Sequence, residues 1–326
     1  MVASPYRSPS VTVGGAGNVG VGNVGAGIVG GVLGRILASH RVAAGRRRQD
    51  VGPLVERAHQ SPPPRPFVAA LRDTTAMAVI AEIKRRSPSK GILDMGLDPA
   101  NAARSYADGG AACLSVLTDT EFFGGSPEDL ALARAAVGIP VLRKDFTVCE
   151  ADVCDARIMG ADAVLLIVAA LSDAELARLS ALADELSLAA LVEVHDLVEL
   201  ERAMATGPAL VGINQRDLVT FEVHRNRACQ LASMLPDQVV KVAESGIHGA
   251  DDVVRLADAG FDAVLVGEAL VRAPDRAVAV QELRAAGASH LRGVKTAQGV
   301  EAAQGVEAAQ GVEAAQGVKA VRSSCS

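Results

Sequence analysis

The sequence predicts an α/β chain built on a (β/α)8, or TIM, barrel with an N-terminal helical extension and low-complexity tails. Three observations point there. Eight short apolar runs recur over about 210 residues, several of them separated by segments of helical periodicity, which is the rhythm of successive βα units. Hydrophobic residues make up 49% of the chain, yet aromatics are only 2% and Trp is absent. The core must then be Val, Leu, Ile and Ala, which suits parallel strands buried on both faces beneath Ala-rich helices. Gly-Ala-Asp or Gly-Phe-Asp ahead of a strand marks a helix-to-strand turn.

Taken in chain order, residues 1–31 read as a Gly-rich disordered tail, because Gly/Val/Asn sequence loses much entropy on ordering. The uncharged stretch between Arg7 and Arg35 is too rich in Gly and Asn for a membrane span, and it lacks the apolar block of a signal peptide. Residues 32–290 hold the barrel and its extension. Within them Val32 to Asp73 reads as partly helical, broken by Pro62-Pro63-Pro64 and Pro66, with Arg46-Arg47-Arg48 a solvated face. Strands are expected at Ala78 to Lys84, Ala112 to Leu117, Pro140 to Lys144, Ala163 to Val168, Ala189 to Glu193, Leu210 to Asn214, Val239 to Glu244 and Ala263 to Gly267. Helical spacing is clearest over Asp173 to Leu186 and Leu197 to Ala205. Residues 291–326 carry a recurring Ala-Gln-Gly-Val-Glu-Ala hexad, a period that fits neither a heptad nor a helical repeat, and read as a disordered tail.

Composition narrows the function. A net charge of −6 argues against a general nucleic-acid binder while leaving local capture of small anions open. Five cysteines without paired spacing suggest no disulfide framework and a reducing, cytoplasmic setting. The six histidines show no metal-ligand spacing; His195 shares the parity of Glu193 but lies just past the expected strand end, with no partner ligand nearby. No Gly-x-Gly-x-x-Gly follows a strand and no Walker loop occurs, so neither metal nor cofactor is expected and the chemistry falls to side-chain acids and bases. The oligomeric state stays open, a monomer being compatible with the sequence.

Function in a barrel gathers at the carboxyl ends of the strands. Here those ends carry Glu82 and Lys84, Lys144, Glu193, Asn214, Glu244-Ser245-Gly246 and Gly267-Glu268. Any one alone could be a structural ion pair, but charge facing the interior of a strand is costly unless it has a task. Ser245-Gly246 and Gly267-Glu268 follow the last two strands, where backbone N–H groups can cradle a phosphate; the alternative is that the glycines only serve tight turns. Ser87-Pro88-Ser89-Lys90-Gly91 reads as a lid over the site or as an ordinary polar loop.

Five motifs carry a resemblance: Ala81-Glu82-Ile83-Lys84-Arg85-Arg86-Ser87-Pro88-Ser89, Lys144-Asp145-Phe146, Val192-Glu193-Val194-His195, Gly212-Ile213-Asn214-Gln215-Arg216-Asp217-Leu218 and Ala243-Glu244-Ser245-Gly246-Ile247. Together they closely resemble the indole-3-glycerol phosphate synthase family, over roughly Val32 to Leu283. The resemblance implies a cofactor-independent carboxy-lyase of tryptophan biosynthesis, acting on a phosphosugar, 1-(2-carboxyphenylamino)-1-deoxyribulose 5-phosphate. It matches Lys144 to the general acid, Glu193 to the base or proton shuttle, and Lys84 to an amine that places substrate and assists dehydration. Glu82 and Asn214 match orienting groups. Ser245, Gly246, Gly267 and Glu268 match the phosphate end, with Ser87 and Glu244 among the further substrate contacts. Arg216 and Leu218 match pocket positions, while Phe123 and Phe146, with Phe122, supply apolar walls for the anthranilate ring or simply pack loops onto the barrel. Glu268 departs from members with Ser there, so its side chain should turn from the phosphate. Rival readings are another phosphosugar barrel such as phosphoribosylanthranilate isomerase, which would want an acid and base in place of two strand-end lysines, and a noncatalytic phosphate binder, which would need no acid/base set.

Overall fold

The computed structural model describes residues 31–46, 51–72, 75–217 and 222–288. Both low-complexity tails, part of the Arg46-Arg47-Arg48 run and Leu218 lie outside the described residues. Eight parallel strands close into a barrel: β1 (Ala78–Ile83), β2 (Cys113–Leu117), β3 (Val141–Lys144), β4 (Ala163–Ile167), β5 (Ala189–Val194), β6 (Leu210–Asn214), β7 (Val240–Glu244) and β8 (Ala263–Val266). Each pairs with its successor and β8 pairs with β1, so no sheet edge is left open. Every strand differs from its expected span by no more than one residue at either end.

The local reasons are visible in the chain. Strand residues are almost entirely buried Val, Ile, Leu and Ala, as parallel strands covered by helices require. Helices begin where a polar side chain stops an orphan N–H: Asp98 caps Pro99–Asp108, Ser126 caps Pro127–Ala136 and Ser172 with Glu175 forms a capping box on Asp173–Glu185. Gly160 and Gly260 take φ of 90° and 82°, left-handed turns that bring the chain from helix back to strand. The aspartates that follow then tie the strand bottoms together, Asp162 accepting from Val141 N and Asp262 from Lys241 N at 2.8 and 2.9 Å.

Three helices precede the barrel, α1 (Gly31–Arg46), α2 (Gly52–Gln60) and α3 (Phe67–Arg72), with the expected proline break between α2 and α3. Phe67 and Leu71 of α3 are buried against β1, β2 and β7, each worth about 1.5–3 kcal/mol of apolar burial. Helix α1 reaches the opposite end of the barrel. Arg41 pins it there through both oxygens of Glu175, at 2.8 and 3.1 Å, and through the Ala170 carbonyl. A final helix runs over 276–288. Among the described residues no helix is long and apolar enough to cross a membrane.

Candidate active site

Strand alternation turns every second residue into the barrel, and register decides which of them meet. Glu82 lies beside Ser115, Ile167 beside Glu193, Glu193 beside Gly212, and Asn214 beside Glu244. These inward positions, with Lys84 just past β1 and Lys144 at the end of β3, floor a single cavity at the carboxyl ends of the strands. All the expected site residues line it except Leu218, which is outside the described residues, and Phe122, which stands back from it.

At its centre the Lys144 ammonium sits between two carboxylates, 3.4 Å from Glu193 Oε2 and 3.4 Å from Glu244 Oε2. Asn214 Nδ2 donates to Glu193 Oε1 at 3.2 Å, and the Asn214 Oδ1 in turn accepts from Arg216 N at 3.0 Å. Lys84 forms an ion pair with Glu82. Gly212 is what lets these groups come so close: a Cβ on it would lie 2.1 Å from Glu244 Oε1.

Burial makes charge expensive here, so the groups share protons rather than all ionise. Burial opposes the charge of Lys144, but Glu244, Glu193 and Glu82 more than offset this and its pKa rises, keeping it an ammonium. Burial and the neighbouring Glu193 push Glu244 up to about 8, against the pull of Lys144. Glu193 goes the other way: burial raises it, yet Lys144, His195 and the Asn214 hydrogen bond bring it below the usual carboxylate value. Near neutral pH the trio of Lys144, Glu193 and Glu244 therefore comprises one cationic acid, one ionised carboxylate and one carboxyl that still carries its proton.

Beyond this cluster the cavity changes character. Ser245 and Gly246, both lining the cavity, adopt φ of 66° and 68°, a left-handed pair, and Gln215 Nε2 donates to the Ser245 carbonyl at 2.7 Å. A Cβ at Gly246 would strike Val223 at 2.4 Å. Gly267 leads into a short helix, Glu268–Arg272. The Glu268 carboxylate is engaged by Lys90 and Arg272, at 3.9 and 3.6 Å. Ser87, Pro88 and Ser89 line the cavity from a small hairpin, Arg86–Ser87 against Gly91–Ile92, whose base is fixed by a bidentate Arg85–Asp129 pair. Beside the hairpin, Phe123 and Phe146 stand 6.4 Å apart, tilted by 37°.

Sequence reasoning missed three features of this site. Val32, Leu33 and Ile36 of α1 form part of its wall. Their i, i+3, i+4 spacing with Leu37 marks an apolar helix face, but nothing in the chain says what that face covers. His40 of the same helix packs on Phe146 at 5.3 Å and meets Asp119 Oδ2 at 3.0 Å and Asp145 Oδ1 at 3.8 Å. This is a group of three potential metal ligands that spacing did not reveal. Its carboxylates already have work as hydrogen-bond acceptors, Asp119 from Phe122 and Phe123 N–H and Asp145 from Thr118, Arg143 and Phe146. The trio thus reads as a latch for α1. His195, set aside as a metal ligand for want of a second ligand nearby, lies within 3.5 Å of Glu193 and 2.9 Å of Glu199, because β5 runs on to Val194 and the next helix turns Glu199 back.

The chain is similar to known proteins over most of its length. Residues 33–283 match the family model described as indole-3-glycerol phosphate synthase. A protein of that name from Nocardioides sp. is 56% identical over 221 residues, covering 68% of this chain and 85% of its own. One from Polaromonas sp. is 49% identical over 257 residues, with 77% and 97% covered. Indole-3-glycerol phosphate synthase 2 of Streptomyces coelicolor is 48% identical over 255 residues, with 78% and 98% covered.

Proposed function

The chain belongs to the indole-3-glycerol phosphate synthase family, and on that footing we propose that it closes the indole ring of tryptophan biosynthesis as a cytoplasmic, cofactor-independent carboxy-lyase. Its substrate in this reading is 1-(2-carboxyphenylamino)-1-deoxyribulose 5-phosphate. The observation that carries the proposal is the Lys144 ammonium held 3.4 Å from both Glu193 and Glu244 at the barrel mouth.

The aryl carbon bearing the carboxylate attacks the sugar ketone, and Lys144 gives its proton to the oxygen as negative charge builds there. A positioned acid of this kind contributes about 10² to 10⁴ in rate. Carbon dioxide then leaves, its bonding pair returning to the ring. The new hydroxyl departs as water with a proton from Lys84, while Glu193 takes a proton from the neighbouring methylene to form the second double bond. Two protons are given and one recovered, so one is drawn from solvent, and no redox partner is called for.

The remaining groups hold the substrate in the reactive pose, which is the other large contribution to rate. Glu82 orients Lys84, and Asn214 orients Glu193. The phosphate binds at the backbone N–H groups of Ser245, Gly246, Gly267 and Glu268, with Lys84 near by; the Glu268 carboxylate, drawn to Lys90 and Arg272, is kept off the anion. Phe123, Phe146 and Arg216 enclose the anthranilate ring, and Ser87 closes over the site from the hairpin.

The test is indole fluorescence from the purified chain and this substrate, with chelator present. Lys144→Ala should lose turnover by at least about 10²-fold while still binding the phosphate-bearing product. Turnover close to that of the parent would overturn the role of Lys144.

A further inference from the structure

His195 is buried at the edge of this site, yet the proposed chemistry gives it no task. Its surroundings are specific. Backbone N–H and ring Nδ1 of His195 both face Glu199 Oε2, each at 2.9 Å. Glu199 is the third residue of the helix Leu197–Met204, capped by Asp196, so its carboxylate is aimed back at the residue before the cap. An ionised carboxylate only accepts, which assigns a proton to Nδ1. The other ring nitrogen, Nε2, is then directed at Glu193 Oε1, 3.5 Å away, with no hydrogen-bond partner of its own. In the neutral ring a lone pair would face that carboxylate oxygen and repel it. In the imidazolium an N–H faces it instead.

The groups around the ring favour the second state. Glu193 comes from β5, Glu199 from the following helix and Glu244 from β7, three carboxyl groups against the Lys144 ammonium of β3, which spends itself on Glu193 Oε2 and Glu244. Asn214 of β6 is neutral and shares Glu193 Oε1, and Arg227 donates to the His195 carbonyl at 3.4 Å. Burial lowers the His195 pKa, but the Glu199 hydrogen bond and the carboxylates together raise it above the ordinary value.

We propose that His195 is a positioning residue that holds Glu193, through Oε1, as the ionised member of the Glu193/Glu244 pair and so leaves their proton on Glu244. The two glutamates are otherwise alike in facing Lys144 at 3.4 Å, and Asn214 and His195 are what distinguish them. This rests on the reading of Glu193 as the base.

The experiment compares the pH profiles of kcat for the full chain, His195→Gln and Glu199→Gln, with Glu193→Gln as reference. Losing the cation beside Glu193 raises the pH at which it ionises, so the acid limb of His195→Gln should move up by about one unit. Because Glu193 ionises below the ordinary carboxylate value, the loss approaches tenfold only at the acid foot of the profile, near pH 4, and shrinks to within about twofold by pH 7, with KM within about twofold. Glu199→Gln should move the limb in the same direction by less. Nitrogen NMR of 15N-histidine-labelled wild type should show the His195 ring doubly protonated at pH 7. A fall in kcat parallel at every pH, an unchanged profile, or a neutral ring at pH 7 would overturn the proposal. If His195→Gln does not fold, Glu199→Gln and the wild-type ring decide. An inert Glu193→Gln beside unshifted profiles sinks only the role of His195; a fully active Glu193→Gln sinks the base assignment and this proposal with it.

Discussion

Gly212→Ala is the most direct test of how closely the two glutamates are packed around Lys144. Gly212 lies on β6 beside Glu193 of β5, and a Cβ there would come 2.1 Å from Glu244 Oε1 and 3.2 Å from Leu191 Cδ1. Non-bonded carbon needs roughly 3.5 Å, so the overlap with the oxygen exceeds about 1 Å. Strand β6 cannot retreat, being hydrogen-bonded to β5 and β7 on either side. The Glu244 carboxylate must give way and leave its place 3.4 Å from Lys144. Overpacking of this kind costs about 1–3 kcal/mol, a fall in Tm of roughly 2–10 °C for a barrel of this size. Displacing a group beside the acid by about 1 Å should also lower kcat by roughly 10²-fold. Thermal unfolding and the indole fluorescence assay read the two effects, with Gly138→Ala, whose Cβ would meet nothing within 4 Å, as the control. A Gly212→Ala protein with Tm within about 1 °C and kcat within about twofold of the parent would refute the packing argument.

Three further outcomes are expected. Glu244, with its pKa raised to about 8, binds a proton in the folded state that the unfolded chain has lost above its ordinary carboxylate value. Its contribution to stability therefore falls as pH rises through the window from about 4.5 to 8, and urea midpoints should decline between pH 6 and 9 less steeply in Glu244→Gln than in the parent. Ser245→Gly should stabilise the fold by about 0.5–1 kcal/mol by relieving the 66° φ, while leaving KM within about twofold because the backbone N–H that meets the phosphate is retained; urea unfolding and steady-state kinetics check the pair, and no gain in stability would refute the strain. Ile36→Ala removes a buried side chain from α1, a change of about 2–5 kcal/mol in a core, but here it should undock one helix: hydrogen exchange should quicken over α1 and not over the strands, with KM raised about tenfold.

The barrel was legible because its signal is repeated. Each strand is a short run of mostly β-branched and aliphatic residues, several ended by a polar one, and most return turns carry a glycine, so errors in any single element stay local. The chemistry was legible for a related reason. Lys144, Glu193, Asn214 and Glu244 stand at strand ends, and parity alone sets which strand residues face inward. What escaped was whatever depends on one element crossing to another. His40 reaches Asp119 over 79 positions in the chain, and Ile36 enters the cavity from a helix that pairs with no strand. His195 looked isolated because Glu199, four residues on, meets it only after the helix cap has turned the chain back.

The sequence by itself determined the number and order of the strands, which side chains face the barrel, and the set of acids, amines and amides at its mouth, because periodicity and turn chemistry are local properties of the chain. Only the tertiary structure decided how that set behaves. Register put Glu193 beside Gly212 and Glu244 beside Asn214, with the Glu244 carboxylate in the space Gly212 leaves, close enough for both to share Lys144, and burial made a second free negative charge there too costly, so one carboxyl ionises and the other keeps its proton. Two identical side chains acquire opposite states from distances and dielectric surroundings that exist only once the barrel has closed.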